Sequence, residues 1–263
     1  MNISQVGEGK VVLIAGGGKI YTDIAARFCK SQRDLESILG SPYDKRIVQN
    51  ILESGHLAAT EFDTFIFGIE GYSRVTEVQL VRKRMASYLI KSGRTETNGK
   101  RAFDVVLPKS FSQFEKVYGE AIFIDDYGEY KMGKINYYQI LKAINSWYTN
   151  VTEAGLPEEE ARYIKPQATE FKAIVGMNAH ALIDWFKIRC CFNAQTEIRD
   201  LANKMLKLCK EVAPDLFVNA GANCKYLGMC PEKIQCKQMR NIVPTLASVK
   251  ELIKNNNIQN IVN

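Results

Sequence analysis

A basic cluster carrying a hydroxyl is the part of this chain whose residue types could most readily do chemistry. The run Arg82-Lys83-Arg84 is followed, after seven residues, by Ser92-Gly93-Arg94. Guanidinium groups bind phosphates and carbonyl oxygens through paired hydrogen bonds, so the cluster predicts an anionic, nucleotide-like ligand. A solvated basic surface is the alternative for such a charge run taken alone.

A glycine run near the N-terminus offers a second phosphate-binding candidate. Gly16-Gly17-Gly18-Lys19 follows the apolar residues 11–15, which read as a buried strand. The run lacks the spacing of a phosphate-binding loop, and Ile20 stands where that motif has serine or threonine. A flexible turn is therefore the favoured interpretation.

Composition places the chain among ordinary globular proteins and excludes some partners. Its 263 residues are 46% hydrophobic and 24% charged, with a formal net charge of +6. This charge is mild, so we expect a small-molecule substrate and no nucleic acid. Neither an apolar run of membrane-spanning length nor a signal-peptide pattern is seen in the sequence, which predicts no membrane association. Seven cysteines are then expected to be reduced thiols of a cytoplasmic protein.

The elements that must position the basic cluster follow from hydrophobic periodicity. Ser73 is a plausible N-cap of a helix that reaches about residue 85, which would put Gln79 and Arg82 on one face. Strands are predicted at 11–15, 65–69 and 104–107, and helices at 20–31, 44–54, 135–154, 158–162, 178–189, 194–212 and 245–254.

Together with its flanks, the basic motif resembles the flavin-dependent thymidylate synthases. The signature of that family is Arg-His-Arg, seven residues and then serine, which stands here as Arg82-Lys83-Arg84 and Ser92. The other matching blocks keep the family's order over about 25–217; they are Gly55-His56, Glu61, the run 65–74, Gln79, Glu160-Ala161-Arg162, Pro166, Asn178-Ala179, Arg189 and the run 194–199. The combined match is specific, whereas the basic motif alone is not.

The resemblance implies a fold and an activity. The fold would be α+β, a twisted, mainly antiparallel sheet surrounded by helices, forming one domain over 1–263 with a cysteine-bearing C-terminal tail at about 215–263. The activity would be FAD-dependent reductive methylation of dUMP to dTMP, with methylenetetrahydrofolate and NADPH as co-substrates. A homotetramer with active sites between subunits is implied as well.

The resemblance also implies roles for individual residues. Arg189 would lie against the uracil and stabilise the negative charge that makes C5 nucleophilic. The substrate contacts would be Gln79, Arg82, Ser92, Gly93, Arg94, Arg162 and Arg189, of which Gln79 and Arg82 would reach the dUMP of a neighbouring subunit. The FAD contacts would be His56, Arg82, Lys83, Arg84, Asn178, His180 and Asp184.

Each of these residues also has a structural alternative. Arg162 and Arg189 could be structural ion-pair residues, and His56 could simply end a helix near Gly55. His180 could belong to the core or the surface, and Asp184 could only cap and solvate its helix.

Several residues depart from the family pattern. Lys83 and Asp184 replace a histidine and an asparagine, and Ile90 stands where a glutamate usually contacts nucleotide or flavin. Further departures are Thr95 for tyrosine, Asn193 for histidine and Phe62 where histidine is common. Two alternatives therefore remain: a paralogue acting on another pyrimidine nucleotide, and a nucleotide- or flavin-binding protein without turnover.

The cysteines suggest no metal. Cys190 and Cys191 follow Arg189 without a neighbouring histidine, so we expect inert thiols. Cys224, Cys230 and Cys236 are separated by equal gaps of five residues, wider than most zinc-binding pairs. We expect free thiols on the surface of this tail; a metal here would be structural.

Overall fold

The structure is a computed structural model that describes residues 1–18, 20–92, 103–124, 128 and 130–255. Its strands are β1 (Ile3–Gln5), β2 (Lys10–Ala15), β3 (Thr64–Ser73), β4 (Ser87–Ile90), β5 (Val105–Leu107), β6 (Tyr118–Ile124), β7 (Tyr130–Asn136) and β8 (Glu170–Asn178). Its α-helices are α1 (Thr22–Lys30), α2 (Leu35–Leu39), α3 (Lys45–Ser54), α4 (Arg74–Leu80), α5 (Tyr137–Glu153), α6 (Glu158–Ala161), α7 (Ala179–Arg189), α8 (Thr196–Val212), α9 (Asn223–Leu227) and α10 (Leu246–Asn255).

The strands form three sheets. The largest has the order β2-β3-β8-β4, so strands distant in sequence are neighbours in it. Strands β6 and β7 form an antiparallel pair, whereas β1 and β5 pair in parallel. The predicted α+β class is confirmed.

The chain divides into two compact units that are interleaved in sequence. The first unit comprises Met1–Lys10, Ile69–Gln79 and Leu89–Ala173, and the second comprises Val11–Gly68, Leu80–Tyr88 and Ile174–Asn263. The basic cluster is therefore split: Arg82-Lys83-Arg84 belongs to the second unit and Ser92 to the first.

The first unit has its core between α5 and β5. Phe103 and Tyr148 meet edge to face, with ring centroids 5.8 Å apart, among the buried Val105, Leu107 and Leu141. A capping box starts α5, because Asn136 accepts a hydrogen bond from the backbone N–H of Gln139 while the Gln139 side chain accepts from the backbone N–H of Asn136.

The second unit is built around α7 and α8. Phe217 packs edge to face on Phe65 of β3, and its ring also lies near Phe186 of α7. Ile198 and Leu201 on α8 are fully buried, as their spacing predicts. Helix α3 begins at the cap residue Asp44 and stops at Gly55, whose φ of 72° is readily adopted by glycine.

The predicted helix from Ser73 to about Met85 is too long. Helix α4 ends at Leu80, so Arg82 lies in the following turn and the helical face expected for Gln79 and Arg82 does not exist. Residues Ser87–Ile90 instead enter a strand, and a chain that must join the sheet cannot continue its helix. Strands β1, β4, β6, β7 and β8 are absent from the sequence-based predictions.

Among the described residues, no helix combines the length and apolar character needed to cross a membrane.

Candidate functional site

The turn after α4 holds the basic run of the second unit. The backbone N–H of Lys83 donates to the carbonyl of Leu80. The hydroxyl of Tyr88 lies 2.8 Å from the carbonyl oxygens of both Leu80 and Lys83, so its proton can be donated to either. Burial raises the pKa of Tyr88 to about 12, which keeps this hydroxyl a donor at neutral pH. The turn is thereby held in place while Arg82 points to solvent.

Helix α7 places several of the predicted residues on one element. Asn178 caps it by accepting a hydrogen bond from the backbone N–H of Ala181. His180 and Asp184 are four residues apart and share a face, with His180 Nε2 3.7 Å from a carboxylate oxygen of Asp184. The other ring nitrogen of His180 lies 3.1 Å from Glu61.

Two of the departures from the family pattern contact each other. The Nζ of Lys83 lies 3.9 Å from the carboxylate of Asp184, and Lys187 donates to the same carboxylate at 3.2 Å. Both Lys83 and Asp184 are partly exposed, so the ion pair is worth about 0–1 kcal/mol. The lysine that replaces histidine is thus matched by the aspartate that replaces asparagine.

Arg189 and Arg82 are close enough to act on each other's charge. The pKa of Arg189 is lowered, first by its burial and then by the positive charge of Arg82. Arg189 nevertheless stays protonated at neutral pH. Two positive charges near each other repel, and one of these guanidinium groups is half-buried. A bound anionic ring would relieve this repulsion, so the pair forms a candidate site for such a ring.

The first unit contains a separate cleft that brings together Ser92 and Arg162, seventy positions apart in sequence. Its volume is about 440 Å³, and the basic side chains of Arg74, Lys91 and Lys165 also line it. Lys165 is held over the ring of Tyr148, with Nζ 4.3 Å from the centroid. The excess of positive charge suits a phosphate.

Sequence reasoning missed part of this cleft. Lys91 precedes Ser92 directly, and Arg74 stands in the run already matched to the family, so both carried a signal. Glu170 also lines the cleft, and burial, followed by the charge of Asp104, raises the pKa of its carboxyl. Nothing in the sequence around Glu170 or Lys165 indicated that they would line a shared cleft.

His56 lies in the second unit, between Gly55 and a short 3₁₀-helix, Leu57–Phe62. It lines a largely apolar cavity of about 820 Å³, together with Arg27, Lys30 and Asn50. His56 follows Gly55, where α3 ends, and it also borders a cavity large enough for a planar cofactor, so both interpretations of this residue stay predictions.

The remaining predicted residues are placed as follows. The side chain of Gln79 donates to the carbonyl of Val75 within α4. Ile90 is half-buried at the end of β4. The exposed Asn193 donates to the carbonyl of Ile234. Gly93, Arg94 and Thr95 lie outside the described residues, and the convergence of Arg94, Arg162 and Arg189 on one nucleotide stays a prediction.

The cysteines differ from the expectation in one respect. All seven are free, and burial raises the pKa of Cys190 to about 12, as an inert thiol requires. The expectation of surface thiols in the tail is wrong for Cys224 and Cys230, which are buried. The pKa of Cys224 is raised by this burial and then by the neighbouring thiols of Cys191, Cys230 and Cys236. Chain folding brings these four cysteines together, so their spacing in the sequence could not reveal that they are neighbours.

Comparison with known proteins defines the class. Residues 18–215 match the family model described as "Thymidylate synthase complementing protein". Flavin-dependent thymidylate synthase from Geobacter sulfurreducens is 37% identical over 212 residues, which cover 80% of this chain and 84% of the relative. The enzyme of the same name from Nitratidesulfovibrio vulgaris is 40% identical over 192 residues, 70% of this chain and 71% of the relative. The chain therefore belongs to the thymidylate synthase complementing protein family.

A solved structure supports the fold. The crystal structure of the UMP/dUMP methylase PolB from Streptomyces cacaoi, bound with 5-Br dUMP, has a TM-score of 0.62 to this chain. The similarity covers 83% of this chain and 96% of that one at 17% sequence identity, which bears on the fold alone.

Proposed function

We propose that this chain catalyses the reductive methylation of dUMP to dTMP, using FAD, with methylenetetrahydrofolate as the carbon donor and NADPH as the reductant. The observation that carries the proposal is the family membership, because relatives that share over a third of their residues across most of their length are named flavin-dependent thymidylate synthase. The arrangement of basic groups in each unit supports it.

The cleft of the first unit supports a role in binding the nucleotide phosphate. Ser92 offers a hydroxyl and Arg162 a guanidinium, and Lys91 and Lys165 add compact positive charges. A nucleotide monophosphate carries close to two negative charges at neutral pH, so several basic groups in one cleft favour it over an uncharged nucleoside.

The pair Arg82 and Arg189 supports a role at the uracil ring. C5 of uracil is a weak nucleophile that reacts better when negative charge grows on the ring. A guanidinium such as Arg189 stays protonated at working pH and can stabilise that charge. Stabilisation of this kind raises the rate by a factor on the order of 10²–10³. No nucleophilic side chain is then required, in keeping with the raised pKa of Cys190.

The residues of the second unit fit a flavin. The exposed guanidinium groups of Arg82 and Arg84 suit a diphosphate, and the apolar cavity beside His56 suits a flat aromatic ring. Asn178, Lys83, His180 and Asp184 would complete the set of contacts. When bound, FAD supplies the hydride, and the protein orients and encloses the reactants.

The contact between Lys83 and Asp184 bears on whether turnover survives the departures. A lysine beside an asparagine would lack this counter-charge, whereas the observed carboxylate of Asp184 lies 3.9 Å from the ammonium of Lys83. The two replacements introduce opposite charges that face each other, which favours a working site over a degenerate one.

We also propose a homotetramer and a cytoplasmic location. Free thiols at all seven cysteines support a reducing compartment. Large apolar side chains exposed on β2 and α4, among them Val12, Ile14 and Val78, support subunit contacts at these elements.

The test is release of tritium from C5 of labelled dUMP by purified protein with FAD, methylenetetrahydrofolate and NADPH. We expect release that depends on every component, with dTMP as the product. A variant at an exposed helix position, Lys207→Ala, serves as the control and should match the unaltered protein. Bound flavin without tritium release would contradict the proposed turnover.

A second candidate is the same reaction on another pyrimidine nucleotide. It is favoured by Ile90, whose aliphatic side chain cannot accept the hydrogen bond expected of a glutamate at that position. Methylation of UMP in preference to dUMP in the same assay would select this candidate.

A further inference from the structure

One small cavity of the second unit is lined by four of the seven cysteines. Cys191, Cys224, Cys230 and Cys236 border a space of about 10 Å³, and none of the other three cysteines borders it. Four thiols around one cavity form a ligand set of the kind that binds structural zinc.

The four thiols come from separate parts of the chain. Cys191 follows α7, Cys224 lies in α9, and Cys236 precedes the 3₁₀-helix Lys237–Met239. Cys230 is held by a backbone bridge, in which its N–H donates to the carbonyl of Pro244 and its carbonyl accepts from the N–H of Leu246. A link among the four would therefore join the end of α7 to the C-terminal segment.

Apolar burial contributes little to holding the segment 228–243 in place. Cys230 is its one buried residue, and Ile234 and Ile242 stay 78% and 68% exposed. Segments that cannot build a hydrophobic core are commonly held by metals or disulfides.

We propose that Cys191, Cys224, Cys230 and Cys236 bind one Zn²⁺ ion in a structural site. Each thiol releases its proton to solvent and becomes a thiolate ligand, with no oxidation or reduction. The resulting group carries two negative charges. The run 224–240 that carries three of the ligands contains four basic residues, Lys225, Lys233, Lys237 and Arg240, and one acidic residue, Glu232.

The ligands must close in on the ion. In the part of the chain that the structure describes, no three histidine, cysteine or carboxylate side chains already stand in metal-binding positions. Zinc–sulfur bonds are about 2.3 Å long, so the four side chains must turn toward the shared cavity when the ion binds.

The site goes beyond the proposed activity and does not depend on it. The family model matches residues 18–215, so Cys224, Cys230 and Cys236 all lie outside the matched region. Zinc would fasten the tail to the catalytic part of the second unit at Cys191, two residues after Arg189.

The test measures metal in the full-length protein, purified under reducing conditions without chelators. Mass spectrometry of the digested protein should find about one zinc per protomer. Cys224→Ser and Cys230→Ser should lower this ratio to near zero, while Cys29→Ser and Cys209→Ser, controls at an exposed and a buried thiol, should leave it unchanged.

Two further readouts keep the proposal testable if a variant fails to fold. Replacement of zinc by Co²⁺ in the unaltered protein should produce strong d–d bands in the red, where flavin does not absorb. Removal of zinc should speed tryptic cleavage at Lys233, Lys237 and Arg240 at least severalfold.

Three results would overturn the assignment. One is protein that holds no stoichiometric zinc and gives no tetrahedral cobalt spectrum. Another is a set of disulfides among these cysteines in protein freshly purified from the cytoplasm. The third is iron and sulfide in place of zinc.

Discussion

Arg189 is the residue on which the proposed chemistry depends most. It stands at the C-terminal end of α7, half-buried, with the positive charge of Arg82 near enough to lower its pKa. The fold therefore brings two guanidinium groups near each other before any anion binds. Stabilisation of developing charge is more effective when the charged group need not reorganise during the reaction.

Arg189→Ala should lower the turnover rate by a factor on the order of 10²–10³, because the charge that develops on the ring loses its fixed counter-charge. Tritium release measures this loss, and circular dichroism checks the fold. Arg189→Lys should recover only part of the activity, since an ammonium lacks the planar fork. Full activity of the alanine variant would remove Arg189 from the mechanism.

The replacements Lys83 and Asp184 can be tested as a pair. Lys83→His alone leaves Asp184 without one of its cations, and Asp184→Asn alone leaves Lys83 without its anion. The double variant restores the residue types of the family. We expect each single variant to weaken flavin binding severalfold and the double variant to recover it, as measured by flavin fluorescence titration. Additive effects would show that the two positions are independent.

Glu170 should make stability depend on pH. Burial raises the pKa of its carboxyl in the folded state, so the folded protein binds this proton more tightly than the unfolded chain does. The contribution of Glu170 to stability is therefore greatest in acid and is lost as the pH rises through its folded pKa. Glu170→Gln should raise the free energy of unfolding at pH 7 and flatten its decline between acid and neutral pH. Denaturant titrations at several pH values measure this, and an unchanged pH profile would contradict it.

At the scale of elements, the turn between α4 and β4 decides where the basic side chains lie. The sequence predicts that the helix continues past Arg82, but β4 must join the sheet at Ser87, so the helix ends at Leu80. Tyr88 then fixes the turn by its hydrogen bond to the carbonyls of Leu80 and Lys83. A local pattern predicts helix formation, but it cannot show where a distant strand will interrupt it.

Tyr88→Phe should loosen that turn. The loss of one hydrogen bond in a partly buried position costs about 1 kcal/mol of folding stability. We expect the Michaelis constant for dUMP to rise more than the turnover rate falls, because the variant disturbs the placement of Arg82 and leaves Arg189 in position. Tyr118→Phe, at an exposed position of β6, is the control. Equal kinetic constants for both variants would show that the hydroxyl has no positioning role.

At the scale of the whole molecule, the candidate groups are divided between two interleaved units. Ser92 and Arg162 meet in the first unit, and Arg82 and Arg189 interact in the second.

The proposal of active sites between subunits can be tested by complementation. Arg162→Ala and Arg189→Ala subunits, each inactive alone, are unfolded together and refolded as a mixture. If one site draws on two subunits, random pairing should restore both arginines in about a quarter of the sites.

Size measurement by light scattering checks the assembly at the same time, since a tetramer requires four times the protomer mass of 29.7 kDa. A tetramer that regains no activity on mixing would place each site within a single subunit.

The sequence by itself determined the class of protein and most of its helices. The basic motif and its ordered flanks identify the family, and the apolar spacing of α7 and α8 predicts their buried faces, because both kinds of information are local or depend on residue order. The helix caps Asp44 and Gly55 are also local features that the sequence reveals, because a cap acts within one turn of the helix.

Tertiary structure alone decided which side chains meet. The cationic cleft around Ser92 and Arg162, the ion pair of Lys83 with Asp184 and the four thiols around one cavity each join residues far apart in sequence. Such contacts depend on how strands such as β8 and β4 pair, and pairing is a property of the whole folded chain, which no local spacing encodes.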